Sequence, residues 1–306
     1  MKLGIITSIF DGWTFEEMID EVSRIGYETI EVASWPQGKA ERRYAGVTHV
    51  DAERVLEDDA YAQHLLDYAA EHHVQIGALA YYPNNMDADL ERRRVCNEHL
   101  INVIHAAKKL GVPKVTSFIG RMTNKSLAEN LDEVGAVWNP IMKVAEDEGI
   151  LVAIENCPML FDETNWPGGQ NIMTSPANWR RVFERVPSPN LGIAIDPSHF
   201  VWQMIDCDRA IRAFAPKIFH VHFKDIKLLR DRLAEYGTMA YPLDIMVPKI
   251  PGLGDVDWGA FVSALTEAGF DGDACVEVED RAFESSRERV LASIEQSYRY
   301  MRQFVS

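Results

Sequence analysis

Apolar residues gather in eight short, largely β-branched runs along the chain: KLGIITSI (2–9), YETIEVA (27–33), VQIGALA (74–80), KVTSFIG (114–120), LVAIEN (151–156), LGIAID (191–196), IFHVHFK (218–224) and ACVEVE (274–279). Runs of this length and type predict buried strands. The segments between them have helical spacing and helix start signals. TFEEMIDEVSRIG holds Thr14 and Glu17 in capping-box register, SLAENLDEVGAVW repeats it with Ser126 and Glu129, and SPANWRRVF puts Pro176 at a first helical position. Strand and helix alternating eight times predict an α/β fold, a (β/α)8 TIM barrel, as one domain over residues 1–306. The competing architecture is a doubly wound open sheet, but no GxGxxG follows the first strand.

Composition narrows the class without changing that picture. The chain is 47% hydrophobic and 25% charged, and it lacks the roughly 18 consecutive apolar residues of a membrane helix. MKLGIITSIF reads as a first strand rather than a signal peptide. Cys96, Cys157, Cys207 and Cys275 stand far apart with no CxxC, which suggests neither a zinc cluster nor a disulfide framework. The expectation is a soluble cytoplasmic protein with reduced thiols and no membrane partner. A formal charge of −16 repels a phosphate backbone, so nucleic acid is not an expected partner.

The connections after the second strand (34–58), the fifth (157–174) and the seventh (225–257) are long and rich in aromatic, proline and glycine residues. In a barrel they lie on the C-terminal face, where barrel enzymes keep their chemistry. The last four strands each end in a hard ligand there: Glu155, Asp196, His222 and Glu277. Side chains at equal heights on inward-facing strand positions converge on the axis. Three carboxylates and an imidazole in one pocket need protons or a divalent cation to neutralise them. An oxygen and nitrogen set without thiolate suits one ion, Mn²⁺ first, with Mg²⁺, Co²⁺ or Zn²⁺ as alternatives. Otherwise the four are separate structural residues.

The stretches VAIEN, AIDPSH, HVHFKD, PGLGDVDW and VEVED resemble the motifs of the xylose isomerase-like TIM barrel superfamily, across the whole chain and most strongly in its second half. The resemblance implies that Glu155, Asp196, His222 and Glu277 hold the metal, with His199 beside them as a substrate or second-metal contact. It points to the sugar phosphate isomerase/epimerase members, in the ketose 3-epimerase or inosose dehydratase-like branch. The endonuclease IV group would place histidines at the ends of the second and third strands, where EVASW and ALAYYP stand, and another at Gly259.

Such a site implies a sugar epimerase or isomerase that removes a proton beside a carbonyl, with Glu155 and Glu277 as the acid–base pair. The alternative outcome of the same first step is β-elimination, making the protein a lyase or dehydratase for a keto-sugar, 3-keto-glycoside or ketocyclitol. His199 would hold a hydroxyl or protonate a leaving group. A different class, a sugar-binding barrel without activity or a subunit that needs a partner, remains open, as does a homo-oligomer.

Several further residues are candidates for substrate contact. Lys224 either grips the substrate or lies in a solvated loop before Asp225, and Glu31 either faces the pocket or bonds the backbone. His220 reads as a satisfied core histidine. Trp35, Tyr81, Trp166 and Trp202, with Trp13 and Tyr82, either stack on sugar or fill the barrel mouth. Arg42 and Arg43 would suit a phosphate or carboxylate, yet no glycine-rich phosphate loop is found, which favours an unphosphorylated substrate. Cys157 reads as a small buried thiol rather than a reactive one.

Overall fold

Each of the eight apolar runs forms a barrel strand. The computed structural model describes residues 1–38, 44–160 and 163–305. The strands are β1 (Lys2–Ile6), β2 (Thr29–Ala33), β3 (Gln75–Ala80), β4 (Lys114–Ser117), β5 (Leu151–Glu155), β6 (Leu191–Ile195), β7 (Ile218–Phe223), β8 (Asp225–Leu228), β9 (Met246–Lys249) and β10 (Asp273–Val276). Eight of them close in the order β1-β10-β7-β6-β5-β4-β3-β2, every neighbour parallel. Helices surround the barrel, and residues such as Ile5, Ile30, Val152 and Ile193 are fully buried. Among the described residues no helix is long and apolar enough to cross a membrane.

Local signals set the helix starts. Thr14 and Ser126 each accept the backbone N–H three residues on while Glu17 and Glu129 reach back, so both capping boxes are complete. Pro176 opens the helix Pro176–Arg185 behind Ser175, whose side chain accepts the Asn178 N–H. The chain differs from expectation in two places. The first strand stops at Ile6, because Thr7–Phe10 winds into a 3₁₀ turn. The long connection after β7 is also more ordered than a loop: β8 and β9 pair antiparallel outside the barrel, with short helices Arg230–Tyr236 and Pro242–Ile245 between them.

A single carboxylate holds the return from that excursion. Asp225 accepts the N–H groups of Ile226 (2.9 Å), Gly252 (2.9 Å), Gly254 (3.2 Å) and Val256 (3.1 Å), and the Trp258 indole N–H (3.1 Å). Gly254 runs so close that a Cβ there would lie 2.2 Å from both Asp225 Oδ1 and the Ile226 carbonyl, which only glycine avoids. The PGLGDVDW stretch is therefore shaped around Asp225.

The turn after β1 is fixed by a relay through His49. The Ala33 N–H donates to Thr7 Oγ1 (2.9 Å), the Thr7 hydroxyl donates to His49 Nδ1 (3.0 Å), and His49 Nε2–H donates to the Phe10 carbonyl (3.2 Å). Burial lowers the His49 pKa to about 4, although the Phe10 carbonyl and Asp11 pull the other way. The native state thus refuses a proton that the unfolded chain accepts below its ordinary value of about 6.5. His49 favours folding fully above that value, and the contribution drains away as the pH falls toward 4. We expect urea unfolding to show wild type losing roughly 3 kcal/mol relative to His49→Gln between pH 7 and pH 4. A gap between the two proteins that stays constant with pH would remove His49 as the cause.

Candidate active site

The strand ends on the C-terminal face are tied together before any side chain reaches the axis. Asn156 Nδ2 donates to the Asp196 carbonyl (2.9 Å) and Asn156 Oδ1 accepts the Asp196 N–H (2.7 Å), which joins the tip of β5 to that of β6. Asn171 Nδ2 donates to the carbonyls of Glu155 (2.9 Å) and Cys157 (2.7 Å). Ser198 N–H takes up Asp196 Oδ1 (2.8 Å), leaving Oδ2 directed inward. Glu277, one residue beyond β10, donates its N–H to the Phe223 carbonyl (3.2 Å).

These constraints bring one donor atom each from Glu155, Asp196, His222 and Glu277 within 4.8 Å of one another. Glu155 Oε1, Asp196 Oδ2, His222 Nδ1 and Glu277 Oε2 are all buried without a hydrogen bond. Buried polar atoms are rarely left so, and four donors without a hydrogen bond aimed at one point, two of them paired only with the Lys224 ammonium, fit a divalent cation. His222 is turned for that task. Its Nε2 lies 2.9 Å from Glu31 Oε2, so a proton held there leaves Nδ1 facing the other three.

Glu31 itself is fully buried and anchored from several sides. His220 Nε2 lies 2.7 Å from Oε2, while the Thr116 hydroxyl (2.8 Å) and the Tyr82 hydroxyl donate to Oε1. Burial opposes its ionisation, yet His222 and His220 hold the carboxyl well below the usual range. Glu31, His220 and His222 also form a group with metal-ligand spacing, but their hydrogen bonding makes Glu31 the orienting partner of His222.

Lys224 stands inside the cluster and not in a solvated loop: it is buried, with Nζ 3.0 Å from both Asp196 Oδ2 and Glu277 Oε2, 3.5 Å from Glu279 and 3.7 Å from Glu155. Burial disfavours its charge, but the four carboxylates raise its pKa. The same ammonium, with His199 and His222, outweighs burial at Glu155 and holds it low. Glu277 goes the opposite way: burial, with Glu155 and Glu279 nearby, pushes it up to about 7 against the pull of Lys224. His199, the second residue of the helix Ser198–Gln203, puts Nε2 3.2 Å from Asp196 Oδ2 and 3.5 Å from Glu155 Oε1.

A cleft of about 670 Å³, open to solvent, lies over the cluster. Its walls include Trp35, Tyr44, Tyr82 and Phe118, and Glu155, Cys157, Lys224, Glu277 and Glu279 reach into it. Of the candidate substrate contacts, Trp35, Tyr82 and Lys224 line it. Tyr81 does not; it is buried behind Trp35, edge-on to it at 4.9 Å and to His99 at 4.6 Å. Glu31 lies beneath His222, away from the cleft. Trp166 and Trp202, 6.3 Å apart, pack with Ile226, Leu228 and Met246 and so support the β8–β9 hairpin. Trp13 stacks under Arg287, and Arg42 and Arg43 lie outside the described residues. Sequence reasoning passed over Phe118, Tyr44 and Glu279. Only Glu279 left a signal, since it follows Glu277 at the strand period of two.

Comparison with known proteins gives consistent findings. The chain is 23% identical over 300 residues to the uncharacterized protein YfiH of Bacillus subtilis (strain 168), covering 92% of this chain and 93% of that one. Two solved structures share the fold with a TM-score of 0.72: 3-keto-D-glucoside 4-epimerase YcjR from E. coli (16% identity, 99% of each chain) and the IolI protein with a bound zinc atom (19% identity, 100% of each chain). A model of the xylose isomerase-like TIM barrel family matches residues 19–304, and with that match over a closed eight-stranded barrel, the chain belongs to this family.

Proposed function

We propose that the protein is a divalent-metal-dependent carbohydrate epimerase or isomerase that removes a proton beside a carbonyl. The observation that carries this reading is the set of four buried donor atoms without a hydrogen bond at the floor of an aromatic cleft, two of them on the carboxylates Glu155 and Glu277. A bound ion, Mn²⁺ by preference for this oxygen and nitrogen set, would be held by Glu155, Asp196, His222 and Glu277 and would polarise the substrate carbonyl. Glu155 and Glu277 sit at the ends of β5 and β10, which β6 and β7 separate in the sheet. One carboxylate takes the proton and the other returns one to the opposite face, which inverts the carbon. The Lys224 ammonium stabilises negative charge developing on the carbonyl oxygen, and His199 holds a hydroxyl or protonates a leaving group.

Charge favours a neutral sugar over a phosphorylated one. Among the described residues lining the cleft, Lys224 is the single cation and is already paired with carboxylates. The aromatic walls suit the C–H faces of a sugar or the apolar part of a glycoside.

Proton NMR in D₂O of ketoses, aldoses and 3-keto-glycosides, with Mn²⁺-loaded and EDTA-treated protein, tests the reading. Metal-dependent deuterium uptake at one carbon together with a new isomer is expected. An unsaturated product or a released aglycone would reassign the protein as a lyase, and isomerisation that survives EDTA would overturn the metal dependence. Glu31→Gln, which weakens the hold on His222, is expected to lower Mn²⁺ affinity by about 10–100-fold. Calorimetry showing unchanged affinity would make Glu31 a packing residue only.

A further inference from the structure

We infer that Tyr82 is a positioning residue: its hydroxyl, together with that of Thr116, locks the Glu31 carboxylate in the rotation that holds His222 toward the cation. The role rests on the four-donor reading of the site. From sequence Tyr82 either stacks on sugar or fills the barrel mouth, and its ring does line the cleft, but its hydroxyl is turned to Glu31.

The two oxygens of Glu31 are held by different chemistry. Oε1 accepts from two hydroxyls, Thr116 at 2.8 Å and Tyr82. Oε2 faces two imidazoles, His220 at 2.7 Å and His222 at 2.9 Å. The last side-chain torsion of a glutamate is broad and two-fold, so burial alone does not decide which way the carboxylate is turned. With both hydroxyls on Oε1, a turn would strand two buried donors, which is costly. Oε2 therefore stays on His222 Nε2, and Nδ1 stays on the other three donors.

The fold delivers these hydroxyls from the side of the barrel that gives the cation nothing. Glu155, Asp196, His222 and Glu277 stand in or just after β5, β6, β7 and β10, whereas Glu31 is in β2, Thr116 in β4, and Tyr82 two residues beyond β3. These three are consecutive strands of the ring. Thr116 is fully buried, and the Tyr82 ring is steadied against Phe118 at 4.8 Å between centroids. The Tyr82 oxygen also lies 3.4 Å from His222 Nε2, so one hydroxyl touches both members of the Glu31–His222 pair. Tyr82 is thus at once a wall of the cleft and a brace behind a ligand.

Calorimetry with Mn²⁺ on the full-length protein tests the role without any turnover. Tyr82→Phe keeps the ring and loses the hydroxyl, and is expected to bind Mn²⁺ about 10-fold more weakly, the low end of the cost of losing a partner behind a ligand, because Thr116 still holds Oε1. Thr116→Val should do the same. The double variant should lose more than the product of the two single factors, since only then is Oε1 empty. Tyr27→Phe is the control for a buried phenol: its hydroxyl donates to the Ile294 carbonyl (3.0 Å), and its loss should leave Mn²⁺ affinity unchanged.

Proton–nitrogen NMR of the Zn²⁺-loaded protein gives a readout that lost packing would not move. The His222 Nε2–H resonance should shift in Tyr82→Phe and in Thr116→Val, and stay in place in Tyr27→Phe. Unchanged affinity in Tyr82→Phe, weaker affinity with an unmoved His222 resonance, or simple additivity in the double variant would each overturn the shared lock while leaving the four-donor site intact. An unmutated protein that binds no divalent ion would overturn that site and the lock with it.

Discussion

Replacing Glu277 with Gln is expected to slow inversion of the substrate carbon by about 10³-fold at saturating Mn²⁺, within the range that loss of a positioned acid or base causes. Glutamine keeps an oxygen and nearly the same shape but loses the charge, so Mn²⁺ binding should weaken, and the rates are compared with the ion at saturation and its occupancy measured. Glu155→Gln should lose inversion to a similar extent. The two variants are expected to differ in what remains. Each retains one carboxylate, so each should still exchange deuterium, without inversion, into the one epimer whose proton faces that carboxylate. Opposite epimers labelled by the two variants would identify the two faces. Near-normal inversion in either would end the two-base mechanism, and loss of all exchange in both, with metal still bound, would leave a single base acting with a relay.

Asp225→Ala should be the most destabilising single substitution outside the apolar core, by about 4 kcal/mol. The estimate follows from stranded donors. Four groups across the chain lose their acceptor, the N–H groups of Gly252, Gly254 and Val256 and the indole N–H of Trp258. Each unsatisfied buried donor costs about 1–3 kcal/mol, and water entering the gap relieves part of the total. Trp258 is buried against Phe223 (5.5 Å between rings) and Phe261 (6.0 Å), so its side chain has no room to turn toward solvent. Asp257→Ala is the benchmark. It removes an exposed helix cap at Ala260 N–H and should cost about 1 kcal/mol. Urea unfolding that ranks Asp225→Ala no worse than Asp257→Ala would show that the loop does not depend on the carboxylate.

The barrel was legible because its determinants are local: β-branched runs wrote the strands, and capping residues wrote the helix starts. The placement of Glu155, Asp196, His222 and Glu277 followed from topology, since parallel strands deliver their C-terminal ends to one face. What stayed hidden depends on pairs distant in sequence. Glu31 meets His222 only because β2 and β7 face each other across the barrel interior, 191 residues apart along the chain. Lys224 reads from sequence as either a substrate contact or a loop lysine, because nothing nearby in sequence announces the four carboxylates around it. The β8–β9 hairpin escaped notice because DIKL and MVPK are short, one contains proline, and seventeen residues separate them. Its apolar face is covered by Trp202 and Trp166, which the sequence leaves open between stacking on sugar and filling the barrel mouth.

If the four-donor cluster holds an ion as proposed, barrel closure also sets when the chain can acquire it. Glu277 follows β10, the strand that inserts between β7 and β1 and completes the ring. On the proposed reading the fourth donor therefore exists only after the other seven barrel strands have been made, and an ion held there would not guide the earlier stages of assembly. An ion bound as proposed would be a latecomer that senses a finished ring. A chain lacking β10 would keep three of the four donors but could not close the ring that brings them together.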